Sequence, residues 1–166
     1  MNQYGDKLEV LGEAFSNARI GLVVPSYVTV DSLDELKDVK EKFDGNIVGI
    51  DAGAGIMSAT EKVIDAYQLD MKLQSSSGPA MTALLKKSVE DKTWIVVTGW
   101  TPHWMFSRFD LKFLKDPKGI FGDAERIDIV ATKGFAEKDP LAAGFFRKFK
   151  LTNEQMSDLM GYLANE

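Results

Sequence analysis

Short apolar runs and longer amphipathic segments alternate along the chain. The runs are short, apolar and bounded by glycine, proline or polar residues, so they predict strands at 18–28, 45–51, 71–74, 93–99 and 126–135. Apolar residues at helical spacing predict helices at 31–43, 53–67, 75–91 and 139–149, and from 152 onwards. In the last helix one apolar face is formed by Met156, Leu159, Met160 and Leu163.

Side-chain caps mark several of the predicted helix starts. A Ser or Thr followed three residues later by Glu or Gln can form a capping box, in which each side chain accepts a hydrogen bond from the other residue's N–H. The spacing occurs at Ser32 and Glu35, at Ser58 and Glu61, and at Thr152 and Gln155. The helix after the glycine turn therefore has two candidate starts, one in the turn at 53–55 and one at Ser58.

Strands that alternate with helices predict an α/β lobe of three layers, with a mostly parallel sheet flanked by helices. The 166 residues suit one such lobe, and no repeat, low-complexity tract or linker divides them. In sheets of this kind ligands bind beyond the carboxyl ends of the strands. Two loops are expected there, GIDAGAGIM (49–57) and GWTPHW (99–104).

The charge and the residue inventory exclude several kinds of site. With 20 basic and 25 acidic residues the formal charge is −5, which argues against nucleic acid because binding phosphates needs a basic surface. There are no cysteines, so a thiol nucleophile, a disulfide and a cysteine-ligated zinc are excluded. His103 is the only histidine, so a site with two histidine ligands is excluded too. We expect neither a metal nor a cofactor.

The loop GIDAGAGIM is typical of an anion site. Gly53 and Gly55 let the backbone approach a ligand closely, and the following helix N-terminus presents free N–H groups and a partial positive charge. A tight turn without a ligand explains the same residues equally well. The P-loop motif is absent, and Ser58 replaces the last glycine of a dinucleotide-binding turn. An enzyme domain that binds a phosphate or nucleotide with this turn stays open as an alternative.

Three tryptophans lie in or near the second loop. Trp94 opens a predicted strand and is interpreted as core, and Trp104 is interpreted as packing. Trp100 follows Gly99 at the end of that strand, so its ring is expected at the edge of the sheet, where an aromatic face can attract a cation. His103 has no readable catalytic partner, and a local structural hydrogen bond is the favoured interpretation.

Four segments between residues 21 and 135 share a further resemblance. They are IVGIDAGAGIMSATEKVIDAY, LQSSSGPAMTALLKKS, WIVVTGWTPHWMFSRFDLKFLKDPKG and IDIVATKGF. In this order they resemble the substrate-binding proteins of glycine betaine ABC transporters, as does FKLTNEQMSDLM near the C-terminus. GLVVPSYVTVDSLDEL resembles the family's segment that crosses between lobes. The family fold is the type II periplasmic-binding-protein fold, in which two α/β lobes clamp the ligand.

The resemblance implies which residues bind the ligand. Trp100 becomes one wall of an aromatic cage around a trimethylammonium group, and the N–H groups of Gly55 and Ile56 bind a carboxylate. Ala54 and His103 are included as further candidates. In the family the remaining cage tryptophans and a carboxylate-binding histidine come from the other lobe, whose Trp-Asp-Ser signature is not found here.

The resemblance therefore implies a single lobe over residues 1–166, with about 1–30 and 136–166 as hinge-crossing or terminal segments. With the second lobe missing, we expect weak binding or none by this chain alone, because each desolvated cation–π contact is worth roughly 1–2 kcal/mol. A lobe without its partner exposes its cleft face, which predicts some self-association.

The function predicted for the parent protein is capture of a betaine-type osmolyte, such as glycine betaine or proline betaine, for an ABC permease. The chain is predicted not to be an enzyme, and a ligand-sensing regulatory domain stays open as an alternative. The parent is expected at the extracytoplasmic face of the membrane or in the periplasm. MNQYGDKLEV has no apolar signal-peptide core, and no run approaches the roughly 18 apolar residues of a membrane span.

Overall fold

A computed structural model describes residues 5–163, in which six strands form one sheet with helices on both faces. The strands are β1 (Leu8–Pro25), β2 (Asn46–Val48), β3 (Lys72–Gln74), β4 (Val97–Thr101), β5 (Leu111–Phe113) and β6 (Glu125–Thr132). The α-helices are α1 (Gly55–Tyr67), α2 (Gly78–Asp91), α3 (Met105–Arg108), α4 (Phe135–Lys138), α5 (Pro140–Lys148) and α6 (Asn153–Leu163). The 3₁₀ helices are Gly5–Lys7, Leu33–Asp38 and Lys40–Phe43. The predicted α/β class is confirmed.

Five of the six described strands run in one direction, as predicted, but the sheet is mixed because β1 is antiparallel to its three neighbours. Neighbours follow the order β3-β2-β4-β1-β5, and β6 pairs with the first part of β1. The strands β3, β2 and β4 are parallel to one another, whereas β1 is antiparallel to β4 and to β5. On this path β1 is therefore the only strand that points the other way.

Residues of β1 alternate between two cores, because successive side chains of a strand point to opposite faces of the sheet. Leu22 and Val24 pack in one core with Val63 of α1. Val23 packs in the other core with Leu85 of α2. All five side chains are fully buried. The sheet is thus the middle of three layers, as predicted.

The strand β1 is longer than the sequence indicates. Its second half pairs with β4 and β5, but its first half forms a two-stranded ribbon with β6, between Leu8 and Ala18. The register of this ribbon shifts at three places: between Val10 and Gly12, between Glu13 and Phe15, and between Ser16 and Ala18. Such bulges interrupt the regular alternation of apolar and polar residues from which a strand is predicted. The predicted start of this strand at residue 18 was therefore wrong.

The segment 31–43 forms two 3₁₀ helices, and its predicted capping box is absent. The hydroxyl of Ser32 donates to the carboxylate of Asp34, and no side-chain cap forms at Ser32. The apolar positions Leu33 and Leu36 are three residues apart, a spacing that suits a 3₁₀ helix as well as an α-helix. The α-helix predicted at 31–43 was therefore wrong, because the same apolar spacing also fits the 3₁₀ helices that form there.

Of the other two predicted capping boxes, one forms. Ser58 lies inside α1, which begins at Gly55, so that box is absent. At the start of α6 the N–H of Thr152 donates to Gln155 Oε1 at 2.9 Å, and the N–H of Gln155 donates to Thr152 Oγ1 at 3.2 Å. This third box is confirmed.

The helix α6 packs most closely through two small residues, and only part of its predicted apolar face is covered. Ser157 and Gly161 are its buried residues, and Gly161 packs beside Ser107 of α3. Leu159 and Leu163 are exposed. Met156 and Met160 of the predicted apolar face are half-buried, so only the Leu159 and Leu163 side of that face was wrongly predicted to pack.

Candidate functional site

Three loops leave the sheet from one edge, because the neighbouring strands β3, β2 and β4 are parallel. They are loops 49–54, 75–77 and 102–104. Ser76 ties the first two together: its Oγ donates to the carbonyl of Gly49 at 2.6 Å, and its N–H donates to the carbonyl of Ile50 at 3.1 Å. The loops GIDAGAGIM and GWTPHW therefore leave the sheet at the same edge, where a ligand site was predicted.

The first loop leads directly into α1. A side chain at Gly49 would collide with Met57, so the glycine allows the loop to cross close above the helix. Ala54 is the N-cap, and its methyl group cannot accept a hydrogen bond. The first N–H groups of a helix, here those of Gly55 and Ile56, have no acceptor within the helix. Because Gly55 is also exposed, this helix end is open to an anion.

Trp100 lies near the end of β4, just before the cis peptide bond between Thr101 and Pro102. Its side chain is partly exposed, and the ring of His103 meets it edge-on, with the ring centroids 4.6 Å apart and the planes at 82°. Trp100 lines two cavities. One, of about 500 Å³, is also lined by Ile20, Pro102, Phe121 and Met160. The other, of about 430 Å³, is also lined by Pro79, His103, Trp104 and Phe109.

His103 is buried and hydrogen-bonded within its own loop. Its Nδ1 accepts from the N–H of Met105 at 3.1 Å. Burial lowers the pKa of His103 below its ordinary value of 6.5, so the ring is neutral at pH 7. A neutral ring held in this way orients the loop beside Trp100 and adds no positive charge to the site.

The other two tryptophans make packing contacts. Trp94 packs against Phe43, with ring centroids 5.3 Å apart, and lines neither cavity at Trp100. Trp104 packs against Phe109, with ring centroids 6.4 Å apart, and the guanidinium carbon of Arg108 lies 4.9 Å from the centre of its ring. Trp94 therefore packs as the sequence predicts, whereas Trp104 packs and also lines the cavity of about 430 Å³.

The predicted site residues fall into two groups. Trp100 and His103 are in direct contact. Ala54, Gly55 and Ile56 lie at the start of α1, on the loop after the neighbouring strand, and they are not among the residues that line either cavity at Trp100. The structure thus places both groups at one edge of the sheet without joining them in one cavity.

Sequence reasoning missed the loop at 116–121, which brings Phe121 to the larger of these two cavities. The hydroxyl of Tyr67 donates to Asp116 Oδ1 at 2.5 Å and accepts from the N–H of Lys118 at 2.7 Å. The N–H of Phe121 donates to Asp116 Oδ2 at 2.8 Å. Burial, reinforced by the bond to Asp116, raises the pKa of Tyr67 to about 12, so the hydroxyl keeps its proton. No local signal in DPKGIFGD reveals a partner 49 residues away.

Within residues 5–163 no group of three or more acidic or histidine side chains is placed to hold a metal ion. No helix of this part of the chain is long and apolar enough to cross a membrane.

The comparison with protein families decides between the functional classes. The family described as "Substrate binding domain of ABC-type glycine betaine transport system" matches residues 2–166. The chain belongs to this family. Its members are substrate-binding proteins of transporters and not enzymes, which confirms the prediction that the chain is not an enzyme.

Individual relatives agree with this assignment. The glycine betaine/carnitine transport binding protein GbuC of Listeria monocytogenes is 50% identical over 135 residues, which are 80% of this chain and 45% of that protein. Lactococcal OpuAC, in a closed conformation with glycine betaine, has a TM-score of 0.81 and 39% identity, covering 99% of this chain and 64% of that one. ProX of the glycine betaine, L-proline transporter of Borrelia burgdorferi has a TM-score of 0.81 and 36% identity, covering 99% and 63%. The chain thus spans less than two thirds of each relative.

Proposed function

We propose that this chain is the lobe of an ABC importer's substrate-binding protein that binds glycine betaine or a related quaternary ammonium osmolyte. Trp100 contacts the cationic group, and the N–H groups of Gly55 and Ile56 bind the carboxylate. The observation that carries the proposal is that Trp100, near the end of β4, and the α1 N-terminus, which follows β2, lie at the same edge of two adjacent parallel strands.

The surroundings of Trp100 suit a cation. Its ring is partly exposed and borders two cavities, so a ligand can reach it. An aromatic face attracts a quaternary ammonium with roughly 0.5–2 kcal/mol, and more strongly where water is excluded. His103 touches the ring but is uncharged at pH 7, so it does not repel the ligand.

The α1 N-terminus suits the opposite end of a zwitterion. Its free N–H groups and the helix dipole favour a carboxylate. The strands β2 and β4 pair directly at Val48 and Val97, and paired strands lie about 4.8 Å apart. The α1 N-terminus, which follows β2, and Trp100, near the end of β4, can therefore contact the two ends of one small ligand.

We further propose that the parent protein closes this lobe on a second one and delivers the ligand to a permease. The relatives have much additional chain, and one of them is described as closed around glycine betaine. The long strand β1 and the segment after β6, within 1–30 and 136–166, are the hinge-crossing or terminal segments of this arrangement. Family members are extracellular or periplasmic, and we place the parent there.

A calorimetric titration with glycine betaine tests the site. Because the second lobe is missing, we expect weak binding at most in the isolated chain. Any binding that is measured should be abolished by Trp100→Ala and retained by Trp94→Ala, because Trp94 lies outside both cavities at Trp100. If the isolated chain binds too weakly to measure, the same variants are compared in the two-lobed parent. Unchanged affinity of Trp100→Ala there would refute the proposal.

A further inference from the structure

The cavity of about 500 Å³ beside Trp100 is lined by a second aromatic residue, Phe121, which also packs against the core that contains Val63 and Tyr67. Other apolar residues of its lining come from β1, the loop after β4, β6 and α6: Ala18, Ile20, Pro102, Ile127 and Met160. Two aromatic rings that border one apolar cavity can both contact the same bound group.

The position of Phe121 is set by a buried tyrosine on α1. Asp116 accepts from the hydroxyl of Tyr67 with one carboxylate oxygen and from the N–H of Phe121 with the other, at 2.5 and 2.8 Å. Lys118 Nζ donates to the carbonyl of Ala66, next to Tyr67 in α1, and lies 4.5 Å from the centre of the tyrosine ring. The loop is therefore fixed to the helix at Ala66 and Tyr67, and the bond from Asp116 to the N–H of Phe121 holds Phe121 beside the cavity.

The charges at this cavity favour a cation. Asp123 and Glu125 contribute carboxylates to the lining. Arg19 lines the cavity too, but its guanidinium carbon lies 4.0 Å from the centre of the Phe113 ring, which is not part of the lining. The lining thus has two acidic residues and one basic residue, and the basic residue already has an aromatic partner. The cavity therefore has an excess of negative charge.

We propose that Phe121 is a specificity-determining residue of the site at Trp100. Together with Trp100 it contacts the N-methyl groups of a quaternary ammonium ligand, and Tyr67 and Asp116 are positioning residues that act through it. This inference rests on the proposed function, because it concerns the same site and the same class of ligand.

Tetramethylammonium is the probe for the cationic part of the site, since it has no carboxylate. We would titrate it into ¹⁵N-labelled chain and follow the indole N–H signal of Trp100, with that of Trp94 as internal control and neutral tert-butanol as the uncharged comparison. We expect a saturable shift at Trp100 that tert-butanol does not reproduce. Phe121→Ala should weaken the apparent affinity about 3- to 30-fold, the range of one cation–π contact.

Phe109→Ala is the matched control, because Phe109 lines the other cavity at Trp100. We expect it to bind tetramethylammonium within about twofold of wild type, since it removes no ring from the cavity of Phe121. A Phe121→Ala variant that binds like wild type, a loss confined to Phe109→Ala, or no saturable shift in the wild type would each overturn the inference.

Tyr67→Phe tests the positioning role, because it removes only the hydroxyl that holds Asp116 and Lys118. Val63→Ala is its control: Val63 is a fully buried residue of α1 that lines neither cavity. We expect Tyr67→Phe to lower the tetramethylammonium affinity. We expect Val63→Ala to keep the wild-type affinity, although it should destabilise the fold as much as Tyr67→Phe or more. Affinity that falls in proportion to stability in both variants would refute the positioning role.

Glycine betaine, titrated in parallel, separates this inference from the function on which it rests. Betaine binding that depends on Trp100 but not on Phe121 leaves the proposed function standing and refutes the role of Phe121. Tetramethylammonium binding that depends on Phe121, without any betaine binding in the chain or its parent, supports the cation subsite and refutes the betaine function.

Discussion

Gly99 lets β4 pass close to β1 and α3 at the residue before Trp100. A side chain there would collide with Val23 and would bring its Cβ within 2.8 Å of Met105 Cε, and both neighbours are fully buried. We predict that Gly99→Ala lowers the free energy of unfolding by about 1–3 kcal/mol, the usual cost of overfilling a packed core. Urea denaturation measures this.

Gly53→Ala is the control for that substitution. A Cβ at position 53 meets no atom within 4 Å, so the free energy of unfolding should stay within about 0.5 kcal/mol of wild type. Equal stability of the two variants would show that the close approach at Gly99 carries no cost.

His103 gives the chain a pH dependence whose sign is fixed by burial. Its pKa in the folded chain is lowered from 6.5, so the unfolded chain binds the proton more readily. The stability that the neutral ring contributes is fully present above pH 6.5 and is lost as the pH falls through the lower folded-state pKa. His103→Asn keeps an acceptor for the N–H of Met105 but does not titrate.

We therefore predict that wild type loses more stability than His103→Asn as the pH falls below 6.5. Urea unfolding of both proteins at a series of pH values provides the measurement. If the difference in free energy of unfolding between the two proteins stayed constant over these pH values, His103 would have the same pKa in the folded and the unfolded chain, which would contradict the prediction.

Single residues differ in how much the sequence reveals about them. The position of Trp100 follows from a glycine at the end of an apolar run, which is a local pattern. The role suggested for Phe121 depends on a hydrogen bond between Tyr67 and Asp116, which only the folded chain brings together. Sequence reasoning finds residues that are marked by their neighbours in the chain and misses those marked by neighbours in space.

At the scale of elements, the capping box of α6 offers a direct test. The side chain of Thr152 accepts from the N–H of Gln155, so Thr152→Ala should lower the free energy of unfolding by about 1 kcal/mol. Ser58→Ala has the same sequence context but lies inside α1, where it should be neutral or stabilising by a few tenths of a kcal/mol. Thermal unfolding of both variants measures these changes. An equal loss of stability in the two variants would contradict the assigned starts of α1 and α6.

The elements that the sequence misplaced share a physical cause. The spacing of Leu33 and Leu36 fits two kinds of helix, and the choice depends on tertiary packing. The first half of β1 has no regular alternation because bulges interrupt it. Helices and strands with a single, uninterrupted period, such as α2 and β4, were located within a few residues of their ends.

At the scale of the whole molecule, the apolar side chains of α5 and α6 lie open to solvent. Leu141 is 88% exposed and Phe145 is 61% exposed, and Leu159, Tyr162 and Leu163 of α6 are exposed as well. We predict that the chain self-associates reversibly, because patches of this kind favour contact between copies. Sedimentation velocity over a range of concentrations should show an average mass that rises with concentration.

Lysine substitutions locate the contact. Leu141→Lys combined with Phe145→Lys should return the chain to a monomer, whereas Leu84→Lys, on the exposed side of α2, should not. A mass independent of concentration in the wild type, or the same effect from Leu84→Lys, would rule out an interface on α5.

The general architecture follows from the sequence, but the long-range pairing does not. Alternating strands and helices predict the three layers, whereas nothing in the pattern indicates that Leu8 pairs with Thr132. Pairing over such a distance is decided by the whole sheet.

The bulges of the β1–β6 ribbon also affect how copies of the chain can join. Among the described residues, no further strand pairs with β6 or with the first half of β1, although the N–H of Leu151 donates to the carbonyl of Ala14 and so occupies part of the β1 edge. Unpaired strand edges can serve as templates for strand addition. The three register shifts of the ribbon twist and interrupt those edges, which prevents a long regular ladder between copies. We therefore expect copies to associate through side chains in small, reversible complexes, and not through a continuous strand ladder of the fibril type.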